Sequence, residues 1–139
     1  MKTISIILII SIFLIISSGC VSSANTTTVS TAGLYLDPEG TLPTDNFDAR
    51  AVFYCIVTLD QPSPDMTLKA SWVAVETNRS APDYVIKIDE VVPTSSTVVF
   101  KLQNAGNFWP TGQYKVFLYL DGMETRVIDF DVHHDYFSE

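Results

Sequence analysis

The chain has 139 residues, enough for one domain and too few for two. Its formal net charge of −8 sets it against phosphate backbones and anionic lipid head groups, so nucleic-acid binding and charge-driven membrane docking are disfavoured. With two cysteines and two histidines, it offers few groups for nucleophilic or metal chemistry.

Met1 and Lys2 are followed by an apolar block over residues 4–16, broken only by Ser5 and Ser11, and the block ends at Ser17-Ser18-Gly19-Cys20. A bilayer crossing needs about 20 apolar residues, and this block is shorter. One basic residue, a short apolar stretch and small residues at its end are the parts of a secretory signal peptide. Ser18-Gly19-Cys20 resembles the lipobox of prokaryotic lipoproteins, although Ser17 stands where a large aliphatic residue is usual. The resemblance implies a lipid on Cys20 and a chain anchored to the outer face of the membrane, at the cell surface or in the periplasm. An uncleaved membrane anchor, or release by cleavage near Ser22-Ser23-Ala24, are the alternatives. All three place the domain outside the cytoplasm. Removing Lys2 with the leader leaves the rest one charge more acidic, which suits a soluble, monomeric exported domain.

Residues 21–33 are almost all Ser, Thr, Ala and Asn, a composition that buries too little surface to fold, so they read as a disordered tether. Asn25-Thr26-Thr27 and Asn78-Arg79-Ser80 are glycosylation sequons, and Asn25 and Asn78 are candidate sites in an exported chain. The domain then runs over 34–135, with 136–139 as a tail. Short strand signals follow one another. Residues 34–36 form a short first strand. Residues 47–59 read as one long strand, with Phe47, Ala49, Ala51, Phe53, Cys55, Val57 and Leu59 on one face. Residues 68–76 place Leu68, Ala70, Trp72 and Ala74 together, and 84–92 and 97–102 continue the series. Residues 104–112 form a loop. Residues 114–120 and 124–132 make a hairpin through Asp121-Gly122, a pair suited to a two-residue turn, with Ile128, Phe130 and Val132 facing inward.

About seven strands at this spacing imply an all-β antiparallel sandwich. Cys55 on the second strand, Trp72 on the third and Thr111-Gly112-Gln113-Tyr114 at the start of the sixth resemble the immunoglobulin-like sandwich. That resemblance implies a core tryptophan packed near the cysteine, and a tyrosine closing a corner through a hydroxyl bond to backbone. Val116 stands where the family's second cysteine falls, so no inter-sheet disulfide is expected. Cys55 then behaves as a small, inert buried hydrophobe. A disulfide between Cys20 and Cys55 is the less favoured pairing, because one lies in the tether and the other in a strand interior.

Phe108 and Trp109 form a candidate ligand patch for a protein or glycan. The competing reading makes Trp109 a cover over the open end of the core. Asp129, Asp131, His133, His134 and Asp135 form the one metal-like cluster, but a solvated strand face explains it better and no tetrahedral spacing is present. No serine elbow, cysteine–histidine arrangement or phosphate loop is found. The expectation is therefore a non-catalytic, extracytoplasmic, membrane-tethered binding module without cofactor or metal. A structural spacer of the cell envelope is the alternative, and a small metal-binding protein or enzyme a more distant one. The loops at 108–111 and 61–65 are the candidate contact regions.

Overall fold

The structure, a computed structural model, describes residues 26–135. The leader, Cys20 and Asn25 lie outside these residues, as do residues 21–25 of the 21–33 tether and the 136–139 tail. The described chain is all strand and loop. Eight strands follow in order: β1 (Thr28–Tyr35), β2 (Asn46–Asp48), β3 (Phe53–Asp60), β4 (Leu68–Thr77), β5 (Tyr84–Val91), β6 (Thr97–Leu102), β7 (Gly112–Leu120) and β8 (Met123–His133). They form two sheets, β1-β3-β6 and β2-β8-β7-β4-β5. All neighbours run antiparallel except β2 and β8, which are parallel.

Two strand expectations are corrected. The first strand starts at Thr28, not at residue 34, so residues 28–33 belong to the domain rather than to the tether. Only Val29, Ala32 and Leu34 supply it with core contact, and Val29 and Leu34 are an odd number of residues apart. A bulge at Ser30, between the pairs Val29–Leu59 and Thr31–Thr58, shifts the phase so that both point inward. Period-two reading does not register such a shift. The 47–59 segment is likewise two strands in different sheets. Asp48 Oδ1 accepts the Arg50 amide at 2.8 Å, and the Ala51 amide donates to the Asp48 carbonyl. This Asx turn ends β2 and carries the chain across the sandwich into β3. Phe47, Ala49 and Phe53 are all fully buried, because the inner faces of both sheets look onto one core and the alternation survives the crossing.

The aromatic centre of that core is Phe47, Phe53, Trp72, Tyr114 and Phe130. Phe130 lies 5.5 Å from Phe47, 5.3 Å from Phe53 and 5.2 Å from Tyr114, ring centre to ring centre. Cys55 and Trp72 are fully buried beside it and Cys55 is free. Burial pushes the Cys55 thiol up to about 12, which keeps it protonated. Val116 occupies the opposite sheet as an apolar core residue. The Tyr114 hydroxyl donates to the Pro110 carbonyl four residues upstream, which is the corner implied by the sequence. Asp121 and Gly122 have φ of 48° and 82°, the two positive values of a type I′ turn between β7 and β8.

Candidate functional site

The β2–β3 crossing, the loop from β6 to β7 and the end of β8 meet at one end of the sandwich. Trp109 belongs to the core there. Its side chain is 8% exposed, its ring stacks on Phe53 at 5.2 Å, and its Nε1–H donates to the Ala51 carbonyl at 3.2 Å. Its backbone amide donates to Ala49. Of the two readings open for Trp109, this is the cover over the end of the core, and it leaves Phe108 as the exposed member of the pair. A ring whose single polar atom finds a backbone acceptor is worth more as a plug than as an open surface.

Phe108 takes the other role. It is 48% exposed, with its ring 5.0 Å from the His134 ring. Asn104 Nδ2 donates to the Phe108 carbonyl at 3.3 Å, and the Asn107 backbone amide donates to the Asn104 carbonyl, so the loop holds its tip by its own hydrogen bonds. Beside Phe108 is a shallow cleft of about 290 Å³ lined by Arg50, Val52, Gln103, Asn104 and Asn107 among others. The sequence reads 104–112 as a loop but singles out only 108–111 of it, so the cleft residues Gln103, Asn104 and Asn107 are missed. Arg50 was hidden because it reads as mid-strand in the sequence.

Asp48 holds the turn that presents Arg50 to the cleft. Burial opposes its ionisation, but the Arg50 amide and guanidinium and the Asp135 amide together hold the carboxyl below its ordinary value. Across β2, the His133 ring bonds Asn46 Oδ1 through Nδ1 at 2.7 Å and Asp135 Oδ1 through Nε2 at 2.9 Å. Both ring nitrogens are therefore committed to protein oxygens. Asp129 turns to Lys115 at 3.5 Å. Among the described residues no group of three His, Cys, Asp or Glu side chains is placed to hold a metal ion.

Asn78 is exposed at the same end. Its Oδ1 accepts the Thr111 amide and its own backbone amide donates to the Thr111 carbonyl. The other watched loop, 61–65, follows the far end of β3 and does not converge with Phe108. The remaining surface aromatics are dispersed. Tyr54 is on the small sheet, Tyr84 on the β5 edge, and Tyr119 lies under the Lys69 ammonium at 4.4 Å.

Among solved structures, the chain is similar to an immunoglobulin-like protein from Pseudomonas aeruginosa. The two share 15% identity at a TM-score of 0.53, over 78% of this chain and 97% of that one. The fold is immunoglobulin-like. A β-glucosidase from Listeria innocua, in complex with laminaribiose, matches at 14% identity and a TM-score of 0.48, over 78% of this chain and 16% of its own. An alkylpurine DNA glycosylase from Pseudomonas fluorescens, bound to DNA with an abasic site analog, matches at 9% and 0.48, over 77% and 30%. No family model and no curated protein sequence matches the chain.

Proposed function

We propose that this chain is a non-catalytic binding module, tethered to the outer face of a membrane through its N-terminus and recognising a protein or glycan with the Phe108 end of the sandwich. The observation that carries the reading is an exposed aromatic ring beside a cleft of amide and guanidinium groups, on a loop held by a rigid plug. Stacking on an aromatic face with amides bonding around it suits sugar rings and peptide backbones alike. The export leader supports the location, with Cys20 as the lipid-bearing residue, and among the described residues no helix is long and apolar enough to cross a membrane. A glycan on Asn78 would flank the same end.

Screening glycan and peptide libraries with the wild type and with Phe108→Ala tests this. Binding that falls at least about tenfold in a variant with unchanged melting temperature supports the site. Equal binding by both sinks it. Mass spectrometry of the mature N-terminus tests the tether, since a diacylglyceryl mass on Cys20 separates anchoring from release. The burial of Trp109 favours one second reading, a spacer of the envelope with no soluble ligand, because it halves the aromatic patch.

A further inference from the structure

Strand β5 is the free edge of the larger sheet, and its surface does not match that of an ordinary solvated edge. Tyr84, Val85, Ile88, Val91 and Val92 are all exposed. Five of the eleven large apolar side chains exposed among the described residues thus fall within nine positions. An unpaired, apolar edge invites another strand. Natural edges are protected by charges that point toward the core side, and Lys87 and Asp89 do so here. They pair with the core residues Trp72 and Ala70 of β4, and Lys87 Nζ reaches both Asp89 at 3.1 Å and the Lys101 carbonyl of β6 at 3.4 Å.

The spacing of those two charges changes their meaning. Set a second copy of β5 antiparallel to the first, with the dyad perpendicular to the sheet so that both cores stay on one side. Only registers that keep alternate residues on the same face are then available. With Ile88 opposite itself, Lys87 stands opposite Asp89 of the second copy, and Asp89 opposite its Lys87. Ile86 is the extra residue of a bulge between the pairs Trp72–Lys87 and Val73–Val85, and counting it brings Tyr84 opposite Val91. The inner row of the joint is then apolar, ionic, ionic, apolar, and complementary throughout. A shift of the register sum by two, the smallest step available, sets Lys87 against Lys87 or Asp89 against Asp89, and like charges opposite one another repel. A lone lysine would only block pairing, whereas this pair selects one register and rejects its neighbours.

We infer that β5 pairs edge to edge with β5 of a second copy of this chain in the register centred on Ile88, joining the two larger sheets into one of ten strands. This replaces the sequence expectation of a monomeric domain, and it rests on the fold and the edge rather than on the ligand reading above. Sedimentation equilibrium of the full chain in mild detergent tests it. The wild type is expected as a dimer, and Lys87→Asp and Asp89→Lys each as folded chains whose association is weakened about tenfold or more. An equimolar mixture of the two variants recovers association, because each supplies the charges the other lacks. Single variants as tight as the wild type would show that the leader or another surface drives assembly. That outcome overturns the inference, as does a monomeric wild type, which would leave the edge to a foreign strand. Failure of the mixture to recover also counts against it. A second measurement is independent of charge. Ile88→Cys, on the dyad, is expected to form a disulfide with its own copy under mild oxidation while Glu90→Cys does not. Crosslinking by both or by neither overturns the register.

Discussion

Replacing Trp109 by Ala removes a ring stacked on Phe53 and an N–H bonded to Ala51, and it opens the end of the core to water. The expected loss is about 3–5 kcal/mol, read as a lowered midpoint in urea. Phe108→Ala one residue away is expected to leave that midpoint unchanged within about 0.5 kcal/mol. Tyr114 carries a second prediction at this scale. Its ring is 1% exposed, and burial raises its phenol from 10.0 to about 12. A folded value above the unfolded one means that the contribution of the neutral phenol is complete below pH 10 and disappears as pH rises through 12. Wild-type stability should therefore fall across that interval. Tyr114→Phe, lacking the hydroxyl, should lose about 1 kcal/mol near neutrality and show a shallower alkaline slope. Denaturant melts from pH 8 upward, at about half-unit steps, check both. Trp72 marks what residue-level reading of the sequence could not reach. Its place in the core follows from the alternation of β4, but the fact that its buried Nε1–H makes no hydrogen bond among the described residues depends on which backbone carbonyls surround it. No one-dimensional pattern contains that.

At the scale of elements, Gly112 explains why β7 can begin where it does. Its φ is 144°, and a Cβ there would lie 2.1 Å from the Glu76 carbonyl oxygen and 2.8 Å from Thr77 Cα on β4. Gly112→Ala is expected to cost at least about 2–3 kcal/mol, and to shift amide signals at Glu76 and Thr77 before those of the distant hairpin in an NMR comparison of folded protein. The elements that were legible in the sequence are those whose alternation has one cause. The hairpin through Asp121-Gly122, the inward row Ile128, Phe130, Val132, and the face of Leu68, Ala70, Trp72 and Ala74 all follow from period two and turn chemistry. Illegible were two places where a second cause intervenes. In β1 an added serine changes phase within a run too polar to attract notice. Between β2 and β3 an aspartate side chain bends the chain without disturbing its inward residues. The candidate site inherited the second omission, since Arg50 reaches the cleft only because the chain turns at Asp48.

For the molecule as a whole, Cys55 is a reporter of cooperative opening. The thiol is fully buried between the sheets and burial raises it to about 12, so an alkylating reagent at pH 8 has neither access nor thiolate. Labelling of Cys55 should proceed at the rate of global unfolding and no faster. Peptide mapping after timed pulses of iodoacetamide, against urea-unfolded protein, measures it. Fast labelling in the native state would mean that the two sheets separate locally. The same two-sheet core explains why the fold was readable while the function was only narrowed. Many sequences can close one apolar interior, whereas a recognition surface depends on a few exposed side chains with no period to betray them.

The registers also fix where a load would be felt. Thr28 lies beside Asp60 at the far end of β3, while Asp48 and His133 meet at the Phe108 end, so the chain enters at one pole and the candidate contact sits at the other. Tension between an anchored N-terminus and a captured partner would run along β1 and β3. Their antiparallel hydrogen bonds lie across that line, so they would have to shear as a group instead of parting one after another. On the proposed reading, a body threaded in this way would act as a mechanical link, its contact end about the length of an eight-residue strand, roughly 26 Å, from the point where the chain enters.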